Sequence, residues 1–200
     1  MPIYPSGKNG NKSVNTVLFT TDRLKIRNLQ ESDLDDFYQY RSDPEIAKYQ
    51  GFDPFSKDQA KEFISSQEDK LFGVPGEWVQ YGIEHSMYKK LIGDCAIKLQ
   101  EKNQATAEIG ISISNLYQRQ NYAKEAMAGI LRFLFHVKEI HRVVETVDVE
   151  NNASIRLLKS LFFRQEGSFI ENIFFKGKWG SEYQFAMLKR EWDELTFPNA

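Results

Sequence analysis

"ATAEIGISISNLYQRQNYAKEAM", residues 105–127, runs from a strand-like segment through a polar loop into a helix. Ile109, Ile111 and Ile113 alternate with small or polar residues, the two-residue period of a strand. Beyond the loop, Ala123, Met127, Ile130, Leu134 and Val137 recur at helical spacing. Strand, loop, helix N-terminus is a natural anion site, because unsatisfied N–H groups and the helix dipole both favour negative charge. The loop lacks the glycine that usually lets backbone approach a phosphate. Asn121 is the side-chain-bearing residue best suited to replace it, since Asn tolerates positive φ.

Working outward, "RLKIRNL" (23–29) alternates as a strand, and the first 18 residues form a polar tail rich in Gly, Asn and Ser. "SDLDDFYQYRSD" opens with Ser32 and Asp35 in a capping-box arrangement, and Ser56 with Gln59 repeats it before a second helix. "EWVQYGIEH" (77–85), "LIGDCAIKL" (91–99) and "ATAEIGISI" (105–113) form an antiparallel meander. After the helix that follows Tyr122, "RVVETVDV" (142–149) is a strand and "NASIRLLKSLF" (152–162) a short helix. "GSFIENIFF", a turn at "KGKWG", and "SEYQFAML" close the chain as a hairpin. A right-handed crossover between the strands at 107 and 149 makes that pair parallel within an otherwise antiparallel sheet. The expected fold is one mixed α/β (α+β) domain over 19–200, helices on both faces.

Two hundred residues suffice for one well-buried domain, and 41% hydrophobic content supports a substantial core. A net charge of −2 lacks the basic footprint of a nucleic-acid binder. The lone Cys95 excludes an intrachain disulfide and a thiolate zinc cluster, and suits a buried hydrophobe better than a nucleophile. His85, His136 and His141 lack metal-site spacing, so no metal is expected. With neither a signal-peptide core nor a membrane-length apolar run, the expected location is cytoplasmic, with no membrane partner.

In this order the segments resemble the GNAT superfamily of acyl-CoA-dependent N-acyltransferases, nearest its ribosomal-protein N-terminal acetyltransferase branch. "TDRLKIRNLQESDLDDFYQYRSDPEIAKY" is similar to that branch's opening strand and helix, and "AEIGISISNLYQRQNYAKEAM" to its cofactor motif, Gln-x-x-Gly-x-Ala. "ENNASIRLLKSLFFRQEG" is similar to its Asn-x-x-Ser helix, and "KGKWGSEYQFAMLKREW" to its last hairpin. Asn121 and Phe162 stand where the family has glycines.

The resemblance implies the GNAT fold, a mostly antiparallel sheet with one splayed parallel pair. It implies acetyl-CoA as cosubstrate and a primary amine, a protein N-terminus or small amine, as acceptor, in a monomer or homodimer. Gln118, Arg119, Gln120, Asn121, Tyr122 and Ala123 wrap the pyrophosphate, while Ile111, Ser112 and Ile113 bond the pantetheine arm. Asn151 contacts that arm, leaving Asn152 as helix cap. Ser154 stands near the sulfur to support the leaving thiolate, and Glu108 is the general base, with Glu84 in reserve. Capping alone accounts for both asparagines, and a solvated sheet face for Glu108. Arg119 and Lys124 flank the loop within reach of phosphates, and Tyr117 and Tyr122 are packing residues with a polar tip. A non-catalytic module of the same fold, or a mixed α+β interaction domain, remains open at this level.

Overall fold

A computed structural model describes residues 16–195. Its centre is an eight-stranded sheet in the order β1-β2-β3-β4-β5-β6-β8-β7. The strands are β1 (Val17–Thr20), β2 (Leu24–Asn28), β3 (Trp78–His85), β4 (Lys90–Leu99), β5 (Thr106–Ile113), β6 (Arg142–Asp148), β7 (Arg164–Phe175) and β8 (Lys178–Leu188). Every pairing is antiparallel except β5 with β6. This is the GNAT fold expected from the sequence.

Helices cover both faces. On one, α4 (Tyr122–Arg132) buries Ala126, Met127, Ile130 and Leu131 against Ile97, Ala107 and Ile109 of the sheet. On the other, α1 (Leu34–Arg41) and α3 (Lys57–Gln67) join Phe37, Tyr40, Ala60 and Ile64 to Leu29 and Leu91. Each large apolar side chain buried this way contributes about 1.5–3 kcal/mol before chain entropy is counted. Gly129 sits mid-helix because the Phe19 ring lies 2.4 Å from where its Cβ would be. Cys95, at the centre of β4, is fully buried, and burial pushes its thiol pKa well up.

The structure corrects several sequence expectations. Val17 and Leu18 belong to β1, which pairs with β2, so the polar tail ends earlier; residues 1–15 of that tail lie outside the described residues. The capping box before α1 uses Gln30 and Asp33 around a short 3₁₀ turn (Glu31–Asp33), not Ser32 and Asp35. Ser56 and Gln59 cap α3 as expected. Two helices went unanticipated, α2 (Pro44–Ala47) and α6 (Lys189–Glu194); each is too short for periodicity to show. Beyond Arg132, α4 loosens into a π-helical turn (Phe133–Val137), with Lys138 N–H donating to Phe133 O at 3.0 Å.

Candidate active site

The site begins where the sheet parts. β5 and β6 pair only through Thr106↔Arg142, Ala107↔Val143 and Glu108↔Val144, whereas β5 stays paired with β4 to Ile113↔Gly93. From Ile109 onward, the edge of β5 facing β6 carries no ladder partner. Ser114 N–H donates to Ile92 O on the β4 side, so by two-residue alternation Ile111 and Ile113 direct their N–H and C=O groups into the gap. The side-chain amide of Gln118 reaches back to Ile113 O (2.9 Å) and Asn115 Oδ1 (2.9 Å), fastening the loop to the strand end.

At the start of α4, Asn121 adopts φ 64°, ψ 9°, the left-handed conformation anticipated for it. Arg119 also has positive φ (61°), which its residue type gave no reason to expect. The Asn121 side chain makes no capping bond, and Glu125 N–H is the donor that closes onto Asn121 O. The preceding N–H groups are therefore left for another acceptor. Glu125 is turned aside: it accepts from Thr21 Oγ1 (2.6 Å), Arg23 N–H (2.9 Å) and Arg23 Nε (2.6 Å). Burial raises its pKa, but these hydrogen bonds and the Arg23 charge together outweigh it and hold the carboxyl below its ordinary value.

Strand gap and helix N-terminus open into one cavity of about 790 Å³. Its lining includes Ile111, Ser112, Ile113, Gln118, Arg119, Asn121, Tyr122, Ala123, Asn151 and Ser154. Lys124 and Arg156 add positive charge, and Leu157 and Ser160 of α5 (Asn152–Ser160) extend the far wall. Gln120 does not line it: its carbonyl accepts from Arg23 Nη1 (3.2 Å) and its amide donates to Leu116 O (3.2 Å). Sequence reasoning missed the opposite wall, Glu45, Ile46, Tyr49 and Gln50. Asn115 bonds Asp43, the N-cap of α2, and thereby sets that wall in place. No signal in the sequence marked it, because the juxtaposition is tertiary.

Asn151, not Asn152, caps α5: its Oδ1 accepts from Ser154 N–H at 3.1 Å, while Asn152 Nδ2 donates to Glu150 O. The cap fixes Ser154 on the first turn, facing the cavity. Glu108 lies outside the cavity lining, on the sheet face shared with Gly110 and Ser112, where its carboxylate meets Lys98 Nζ at 2.7 Å. A Cβ built on Gly110 meets nothing within 4 Å, so that face is open beside Glu108. Glu84 is an unsuitable base. Burial raises its pKa, but bonds from Arg27 (2.7 Å) and Lys25 (3.0 Å) outweigh this and hold it below the usual range. On β6, Glu145 is buried with Oε2 unpartnered; burial, then the Glu108 charge, pushes its pKa up to about 8.

Among the described residues no three metal-binding side chains converge, and no helix is long and apolar enough to cross a membrane.

Comparison with known proteins defines the class. The family profile "Acetyltransferase (GNAT) domain" matches residues 23–164. The chain belongs to the GNAT family and is an N-acetyltransferase. It is 31% identical to uncharacterized N-acetyltransferase p20 of Bacillus licheniformis, over 86% of this chain and 96% of that one. Among solved structures it is similar to a GNAT-family acetyltransferase from Bacillus anthracis, with 25% identity, a TM-score of 0.78, and coverage of 86% and 98%. Two further likenesses name different acceptors. A putative ribosomal-protein-serine acetyltransferase from Vibrio cholerae aligns at 25% identity and TM-score 0.69, covering 84% and 95%. Escherichia coli spermidine N(1)-acetyltransferase is 22% identical over 84% of this chain and 88% of its own.

Proposed function

We propose that this chain transfers the acetyl group of acetyl-CoA, held in the cavity of α4, α5 and parted β5 and β6, to a protein N-terminal α-amine. One observation carries the cofactor reading: the left-handed Asn121 brings the free N–H groups of α4 and the unpaired edge of β5 into one cavity. The donor set fits the cosubstrate. Free N–H groups, the helix dipole, Arg119, Lys124 and Arg156 suit a diphosphate, and the Ile111 and Ile113 backbone suits an amide-bearing arm. Family use of acetyl-CoA points the same way.

Acetyl-CoA supplies an activated thioester. Backbone N–H groups of β5 stabilise the charge developing on its carbonyl oxygen, the kind of preorganised donor worth about 3 kcal/mol. An α-amine has a pKa near 8 and must shed a proton before it attacks. Glu108, on the open face by Gly110, takes that proton through water. Ser154 donates a hydrogen bond to the departing thiolate. The use of acetyl-CoA suits a cytoplasmic enzyme.

The α-amine reading rests on the opening and closing segments of the sequence and on the likeness to the Vibrio cholerae protein. A second reading, a small-amine acetyltransferase, draws on the spermidine-acetylating relative and on Glu45, a carboxylate in the cavity wall. Thiol release from acetyl-CoA tests both, with peptides bearing free or blocked N-termini beside spermidine. Turnover of free-terminus peptides alone is expected. Spermidine turnover exceeding that of every peptide would transfer the assignment to small amines. No turnover, and no thermal stabilisation by CoA, would end the cofactor reading as well. Ligand at 100 times its dissociation constant should add about 2.7 kcal/mol.

A further inference from the structure

Arg23 lies outside the cavity, yet it grips the phosphate loop from behind. Its Nε bonds Glu125 in the first turn of α4, and its Nη1 bonds the carbonyl of Gln120, the residue before the cap. The guanidinium also lies 4.3 Å from the Tyr122 ring centroid. Tyr122 is anchored in turn by its hydroxyl, 3.1 Å from His85 Nε2. A trans peptide points its C=O and N–H in opposite directions. Drawing the Gln120 carbonyl outward to Arg23 therefore turns the N–H of Asn121 the other way, towards the cavity that residues 119 and 121 line and 120 does not.

We infer that Arg23 is a positioning residue for acetyl-CoA: it locks the Gln120–Asn121 peptide with its N–H towards the diphosphate, and it neutralises Glu125. The second task matters because a bare carboxylate in the first turn competes with a bound anion for the same helix terminus. Both tasks concern the diphosphate alone. Neither involves the thioester, the acceptor or the proton.

This inference rests on the cofactor reading above, and the test separates the two. Arg23→Gln and Arg23→Lys are compared with wild type, using acetyl-CoA and S-acetylpantetheine, which lacks the diphosphate. Wild type must first show binding of acetyl-CoA by calorimetry; failure there removes the cofactor reading itself. Given binding, Arg23→Gln should raise KM for acetyl-CoA about tenfold with kcat nearly unchanged. Its kcat/KM for S-acetylpantetheine should match wild type. Arg23→Lys keeps a charge beside Glu125 but lacks the fork that reaches Gln120, so most of the loss should remain. The inference is overturned if either variant binds acetyl-CoA within twofold of wild type. It is equally overturned if S-acetylpantetheine turnover falls in step with acetyl-CoA turnover, since that marks general damage to the fold.

Discussion

Arg41, the last residue of α1, clasps Asp94 in mid-β4 through two hydrogen bonds, Nη2–Oδ1 at 2.6 Å and Nε–Oδ2 at 3.0 Å, both side chains buried. Tyr40 and Gln80 donate to the same carboxylate. This fastens α1 to the sheet, and α2 follows α1 directly to form the cavity's outer wall. Asp94→Ala leaves a buried guanidinium without its counter-ion and should cost about 3–5 kcal/mol in denaturant unfolding. A loss below about 1 kcal/mol would mean that the network adds little to α1 docking.

Asn121 offers a graded test of the loop. Asn121→Gly should hold or improve acetyl-CoA affinity, since glycine meets φ 64° freely, and Asn121→Val should weaken it. Asn121→Asp keeps the shape but sets a negative charge beside the diphosphate. It should lose at least about 1 kcal/mol of binding at low salt, less as salt rises. If Asp and Val both titrate like wild type in low salt, residues 118–123 do not hold the diphosphate.

Phe162, where the family has its other glycine, also lies in the left-handed region, with φ 63°. Phe162 N–H donates to Lys159 O and Phe163 N–H to Leu158 O, the paired bonds that end a helix with a left-handed residue. The residue is 64% exposed, so little packing offsets the backbone strain. Phe162→Gly should therefore stabilise the chain by about 0.5–1 kcal/mol. A lowered thermal midpoint would show that the ring contributes more than its exposure suggests.

Ser154→Ala should reduce kcat while acetyl-CoA affinity stays near wild type, because the alcohol acts on the leaving group. With chemistry established as rate-limiting, an unchanged kcat would leave Ser154 only its backbone role in the helix cap.

Glu145 sets a pH dependence of stability. Its folded pKa, about 8, lies above the ordinary carboxyl value, so the folded state holds a proton that the unfolded chain releases. That contribution is complete below about pH 4.5 and is lost as pH rises through 8. Glu145→Gln keeps the shape and cannot ionise. It should gain on wild type steadily from pH 5 to about 8 in thermal melts and level off above that, and parallel curves between pH 5 and 8 would refute the assignment.

Much of this was legible in the residues. Alternation at Ile109, Ile111 and Ile113, helical spacing from Ala123 to Ile130, and the Ser56–Gln59 box are local patterns, and each formed where expected; Leu134 and Val137, read as continuing that helix, lie instead in the π-helical turn, with Val137 exposed. The left-handed Asn121 followed from Asn chemistry. Phe162 shares that conformation without any residue preference, because the paired hydrogen bonds that end α5 impose it, and Arg119 shares it with no residue preference to announce it. The wall at Glu45 and Tyr49, the Arg23 contact with Gln120 and the Lys98 partner of Glu108 depend on strand order and register, which no local pattern encodes. Asn151 and Asn152 were interchangeable as caps in sequence, and only the backbone angles at the start of α5 separate them.

Cys95, the chain's only cysteine, has β3 on one side and β5 on the other, and no solvent reaches it. A disulfide reagent is attacked by thiolates, and the buried Cys95 thiol cannot reach it, so the folded protein is silent towards it. Labelling of this one atom requires the middle of the sheet to come apart, which makes its rate a clock for opening of the most protected strands. The same silence keeps the protein from adding to the colour developed by liberated CoA. When a bound ligand slows the labelling, the reagent reports binding and unfolding together, without a probe having been added.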